Sequence, residues 1–160
     1  MKAVLRRHER IRRRSEFVRL QQRPSLRVRG PGFLILATPR ADAEACSRIG
    51  IIASRKVGNA VERNRAKRLL RELFRKNKAA FPPGFDLVFV AFADLHERTY
   101  TAVEAGAHAA LRELRERASK VRRERARADA GDLAQGQGRI QAAASGHMPT
   151  RKAVRDEESG

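Results

Sequence analysis

Seven cations and one asparagine stand close together in this chain: Arg55, Lys56, Arg63, Asn64, Arg65, Lys67, Arg68 and Arg71. Their shared chemistry is the neutralisation of a polyanion. A guanidinium forks onto two phosphate oxygens and an ammonium acts as a point charge. An asparagine amide offers both a donor and an acceptor, to a base edge, a ribose hydroxyl or backbone. Wound at helical period, Asn64, Lys67, Arg68, Arg71 and Arg75 fall within an arc of roughly 100°. Ala66, Leu69, Leu70, Leu73 and Phe74 fall opposite them. A helix that only needs solubility alternates Glu with Lys at i,i+4, each pair contributing a few tenths of a kcal/mol. Here one sign dominates, so neighbouring cations repel one another, and a bound polyanion would relieve that cost. Only Glu62 and Glu72 lie within the segment, too few carboxylates for internal pairing to account for the arginines. Arg63 lies on the flank of the apolar arc. The plain alternative is a solvated basic face.

These side chains need a fixed helix. Gly58-Asn59 is a turn signal, and Asn59 suits the N-cap of a helix beginning near Ala60. The first helical N–H groups then lie beside Arg55 and Lys56, an arrangement suited to a phosphate. Pro82-Pro83-Gly84 ends that helix. Before it, Phe33–Thr38 and Arg48–Ser54 read as strands, and after it Asp86–Ala93, apolar on both faces, reads as an interior strand. A short helix is expected over Ser15–Gln22 with Phe17, Val18 and Leu20 as its apolar content. A last helix starts near Thr99 and carries Val103, Ala107, Leu111, Leu114 and Ala118 at helical spacing. Residues 1–14, nearly all Arg and polar, read as a flexible basic arm. Residues 122–160 have few large apolar groups and read as a disordered tail. The folded domain is then 15–121, an α+β or α/β sandwich with one mostly covered sheet.

With 36 Lys+Arg against 18 Asp+Glu among 160 residues, the formal net charge is +18. Such a charge opposes compaction and calls for an acidic partner, nucleic acid before a membrane surface. No apolar run of about 18 residues is present to span a bilayer, and the positive N-terminus has no apolar core after it. The single cysteine, Cys46, excludes an intrachain disulfide framework and fits a reducing cytoplasm. Nothing in the sequence points to an obligate protein partner.

Catalytic constellations do not emerge. His8, His96, His108 and His147 share no metal-ligand spacing. No nucleophile elbow or phosphate-cradling glycine loop occurs in the folded region. Asp42, Asp86, Asp94 and Glu104 are scattered rather than paired to hold two metals.

The pattern Ser-x-Lys-x-Gly-x-Ala-Val-x-Arg-Asn-Arg-x-Lys-Arg-x-x-Arg-Glu, met from Ser54 to Glu72, closely resembles the signature of the protein subunit of bacterial ribonuclease P. The likeness extends over about Arg7–Arg117. It implies a small α-β sandwich in the order α-β-β-β-α-β-α, with an added short strand near Leu26–Arg29. It also implies a four-stranded sheet with a left-handed βαβ crossover through the signature helix. It further implies that the RNA subunit and its bound Mg²⁺ carry the phosphodiester chemistry, so that the polypeptide holds no catalytic residue. The signature region, Arg55, Lys56, Arg63, Asn64, Arg65, Lys67, Arg68 and Arg71, would then meet ribonuclease P RNA. Phe17 would face the 5′ leader of precursor tRNA in a cleft between the first helix and the sheet. On the residues alone, Phe17 reads equally as a core residue. Phe33 matches a family aromatic at the start of the strand, where core packing is the expectation. Two other aromatic positions of the family are Gln21 and Leu36 here, which thins the stacking surface. The competing reading is a structural RNA-binding protein of the ribosomal-protein type, which composition alone fits as well.

Overall fold

The computed structural model describes residues 4–144, with side chains through Ala134. Its elements are α1 (Arg14–Gln22), β1 (Leu26–Gly30), β2 (Phe33–Pro39), β3 (Arg48–Ile52), α2 (Ala60–Lys76), β4 (Phe85–Ala91) and α3 (Tyr100–Ala144). The four strands form one sheet in the order β1-β2-β4-β3, β4 pairing antiparallel to β2 and parallel to β3. This is the α+β arrangement and element order expected from the sequence. β2 and β4 have neighbours on both sides, which is why they are apolar on both faces. β1 is an edge, and it alternates buried Leu26 and Val28 with exposed Arg27 and Arg29. Gly32, at φ 76°, takes the left-handed position that the Pro31-Gly32 turn between β1 and β2 requires.

Two layers cover the sheet unequally. On one face Val28, Phe33, Ile35, Ile49, Leu87 and Phe89 pack against Ala66, Leu70, Leu73 and Phe74 of α2 and Val103, Ala107, Leu111 and Leu114 of α3. On the other, Leu20 of α1 and Ile11 close over Leu36 and Val88, while Phe17, Leu34, Ile52 and Val90 are only partly covered.

The hand of the crossover follows from one carbonyl. Ile49 turns its side chain to the α2 face and its C=O to the N–H of Ile11, at 2.8 Å. In an L-residue on a strand running upward with the side chain toward the viewer, the carbonyl points right. The Arg10–Ile11 segment is therefore on the right of β3 and β4 on its left. Since α2 crosses in front, β3-α2-β4 is left-handed, against the general right-handed preference.

Both expected boundaries shift. The supposed arm, residues 1–14, is docked throughout its described part: Leu5 packs against the core, Arg10 bridges to Ile49, Ile11 is buried, and α1 starts at Arg14. The cause is one acid and one apolar residue within the arginine run. Glu9 is buried, takes the Lys78 ammonium on both carboxylate oxygens (2.6 and 2.8 Å) and accepts the Arg6 N–H at 2.6 Å. Lys78 also donates to the carbonyl of Val4. At the other end, α3 continues to Ala144, well past the Val121 boundary. The expectation of disorder from residue 122 onward is thus corrected as far as 144, while 145–160 lies outside the described residues. Side chains from Arg123 to Ala134 are all exposed, so no core sustains this part. Ala, Arg and Glu have high intrinsic helix propensity and continue a helix already nucleated. The residues up to Glu124 make one unit and those from Arg125 another.

α1 is fastened by an ion cluster. The Arg48 guanidinium forks onto both oxygens of Asp86 at 2.7 Å and reaches Glu16 of α1 at 3.0 Å. Burial works against ionisation of Glu9, but the Lys78 contact and the Arg6 N–H outweigh it and hold the carboxyl below its ordinary 4.5. A lowered carboxyl pKa contributes stability that is present above the unfolded value and lost as pH falls through the folded one. Lys78→Ala should therefore cost about 1–3 kcal/mol near neutrality, where it leaves a buried carboxylate unpaired. The gap to wild type should shrink in acid, once Glu9 is protonated in both proteins. Urea melts at neutral pH and in acid, well below the Glu9 value, measure both quantities; an equal gap at both would remove Glu9 from the explanation.

Candidate nucleic-acid interface

β3 delivers the chain through Ser54 into a short turn, Arg55–Val57, and then into Gly58 at φ 137° and Asn59. A Cβ at Gly58 would collide with the Glu62 carboxylate. That carboxylate closes a reciprocal cap: Asn59 Oδ1 accepts the Glu62 N–H at 2.9 Å, and Glu62 Oε2 accepts the Asn59 N–H at 2.7 Å. The N-cap expected from the sequence is thus in place, and it fixes where the cations of α2 point.

The eight candidate residues divide by what they touch. Arg63 donates to the carbonyl of Gly58 at 3.1 Å and is half-buried, bracing the turn. Arg65 donates to the carbonyls of His96 and Arg98 at 2.6 and 3.4 Å, tying α2 to the Leu95–Glu97 turn. Arg55, Lys56, Asn64, Arg68 and Arg71 are exposed and Lys67 half-buried. None of these six side chains has a hydrogen bond or ion pair with another described residue. Arg75, by contrast, pairs with Glu72 at 2.5 Å, and this contact lowers the Glu72 carboxyl below its ordinary value. The opposite stripe, Ala66, Leu69, Leu70, Leu73 and Phe74, is buried as periodicity requires.

Phe17 is half-buried on the far side of the sheet, its ring packed where a Cβ on Gly50 would otherwise stand. Phe17, Ile11 and Arg10 share a cavity of about 160 Å³ with Lys67 and Arg71. The structure thereby joins the aromatic of the first helix to one flank of the α2 ridge. Phe33 is fully buried, as core packing predicts, Leu36 is buried and Gln21 is exposed.

Sequence reasoning passed over two groups on this face. The Arg48–Asp86–Glu16 cluster positions α1; its signal was Glu16, the one acid of α1, following an arginine run. The Arg29 guanidinium also lies 4.9 Å over the half-exposed Phe92 ring. Both residues follow side chains that face the α2 layer, Val28 and Ala91, so alternation places them on the α1 face. The outward arginines of β1 were the available sign of it. Among the described residues no three His, Cys, Asp or Glu converge to hold a metal, and no helix is long and apolar enough to cross a membrane.

An α+β sandwich that presents a one-signed, unpaired cationic ridge beside an aromatic cavity is built to hold nucleic acid. Comparison with known proteins narrows this class. The chain belongs to the Ribonuclease P family, whose model matches residues 5–130. It is 46% identical over 88 residues to the ribonuclease P protein component of Desulfovibrio desulfuricans, covering 55% of this chain and 67% of that one. It is 38% identical over 91 residues to the component of Thermotoga maritima, covering 57% and 75%. The solved Thermotoga maritima RNase P protein superposes with a TM-score of 0.57 at 31% identity, over 68% of this chain and 96% of that one. The Staphylococcus aureus RNase P protein gives 0.56 at 26%, over 65% and 93%.

The two faces of α2 should separate in experiment. Arg68→Ala and Arg71→Ala should each weaken RNA binding and leave stability within about 0.5 kcal/mol. Leu69→Ala and Leu73→Ala should each cost about 2–5 kcal/mol, Leu69 nearer the lower end because it is slightly less buried. Denaturant melts beside binding isotherms check all four; unfolding of the arginine variants would mean the faces are reversed.

Proposed function

We propose that this chain acts as the protein component of ribonuclease P, the ribonucleoprotein endoribonuclease that releases the 5′ leader of precursor tRNA. The observation that carries this reading is the set of unpaired groups on and before α2, Arg55, Lys56, Asn64, Lys67, Arg68 and Arg71, lying within the family signature. In this role they meet phosphates of the RNA subunit, with Arg63 and Arg65 holding the turn and the helix that present them. Each phosphate contact displaces roughly one counterion, so binding should weaken steeply with salt. Phe17, and the Arg29–Phe92 pair on the same face of the sheet, offer flat surfaces on which leader bases stack without regard to sequence, for about 1–3 kcal/mol per base.

The polypeptide binds and positions, and it supplies no group to bond breaking. Mg²⁺, in this reading, is held mainly by the RNA subunit, and the protein works with that RNA in the cytoplasm. A structural role of the ribosomal type is disfavoured, since the relatives are named as ribonuclease P protein components.

With a bacterial ribonuclease P RNA and Mg²⁺ at moderate salt, the purified protein should promote release of the 5′ leader from precursor tRNA. The protein alone should release none. Metal-dependent cleavage that persists after rigorous removal of RNA would contradict the division of labour; failure to bind or stimulate the RNA would contradict the function itself.

A further inference from the structure

The α2 ridge has a second flank, away from Phe17, and it is concave. A groove of about 630 Å³ runs between α2 and the start of α3. Its apolar walls are Val61, Leu69 and Tyr100, and Asn64, Arg65 and Arg68 line the side toward the ridge. Glu72 and Lys76 close the far end. The walls are held from outside the groove. The Tyr100 hydroxyl donates to Glu104 at 2.6 Å, which also accepts from Asn77 at 3.0 Å. Arg65 is fixed by its two backbone carbonyl partners.

Val61 has no evident part in the fold. It is 76% exposed, the most exposed large apolar side chain among the described residues, and stands in the first turn of a helix whose outer face is otherwise polar and cationic. A β-branched residue in that position favours neither the helix nor solubility.

We propose that this groove receives one unpaired nucleobase of the RNA subunit. The inference rests on the ribonuclease P reading and names what that same ridge binds. An RNA strand whose phosphates follow Lys67, Arg68 and Arg71 must turn its bases to one side of α2 or the other. On this side a base leaves water for Val61, Leu69 and the Tyr100 ring. There the Asn64 amide supplies a donor and an acceptor to its edge, and the Glu72 carboxylate supplies an acceptor. Arg65 and Arg68 place positive charge on the rim, where the backbone of the same nucleotide would pass, while the Lys76 ammonium lies 4.2 Å over the Tyr100 ring and 3.4 Å from Glu72 and closes the far end. Asn64 thus reads a base edge, the one of its three possible partners that a groove of this make-up provides.

The sign of a single substitution tests this. Val61→Lys adds a cation to the ridge and removes an apolar wall at an exposed position. If the groove receives a base, Val61→Lys should weaken binding of ribonuclease P RNA roughly tenfold, the loss of about one stacking contact, with an unchanged melt. Chemical probing of the reconstituted holoenzyme should show one unpaired nucleotide protected by the wild-type protein and exposed with the variant. If α2 meets phosphates alone, the added charge should tighten binding and leave the protection pattern as it was, and that result overturns the proposal. If the wild-type protein neither binds nor stimulates the RNA, the ribonuclease P reading fails and this inference falls with it.

Discussion

Everything functional in this molecule depends on the burial of one stripe of α2. Ala66, Leu69, Leu70, Leu73 and Phe74 lie against the sheet, and each large side chain among them contributes about 1.5–3 kcal/mol by leaving water. The opposite face works against the fold. Cations at i,i+3 and i,i+4 repel by a few tenths of a kcal/mol per pair in water. Burial therefore exceeds repulsion several-fold, and the helix can hold its charges close together without a partner. The left-handed path from β3 through α2 to β4 belongs to the same constraint. It lays α2 across the face of Ile49, Leu87 and Phe89, where the stripe finds its core.

The rest of the site is built around that helix. The Asn59–Glu62 cap sets where it begins, and Arg63 and Arg65 fix the turn before it and the turn beside it. The Arg10–Ile11 segment, paired to β3, and α1, fastened through Arg48, bring Phe17 to one flank. The cations thus fall into two kinds. Some are satisfied by backbone carbonyls and shape the surface, while others have no side-chain partner among the described residues and are, in the proposed role, the groups left for the RNA.

Much of this was legible in the residues. The opposed faces of α2, its cap, the interior character of β4 and the burial of Phe33 follow from periodicity and turn chemistry. The short β1 and the crossover hand came from the family resemblance, because five alternating residues and a chain path leave little trace in composition. The two kinds of arginine were not separable: Arg65 and Arg68 lie near each other on the helix surface, and only the carbonyls of His96 and Arg98, more than thirty residues on, distinguish them. The N-terminal arm was misjudged because one buried Glu9 paired with Lys78 outweighs the polarity of the run around it. The length of α3 leaves no apolar signal in the sequence, because its Ala-, Arg- and Glu-rich extension is helical on intrinsic propensity rather than on burial.

The central claim is that the fold does not need the ridge and the RNA does. Replacing Lys67, Arg68 and Arg71 together with Gln isolates it, because the change removes charge while keeping helix propensity and side-chain bulk. A thermal melt combined with a salt titration of RNA-subunit binding is the measurement. The account predicts a melting temperature equal to or above that of wild type, as repulsion is relieved. It also predicts affinity lower by orders of magnitude, and a salt slope reduced by about three phosphate contacts. A variant that unfolds, or that binds with the wild-type slope, would contradict it.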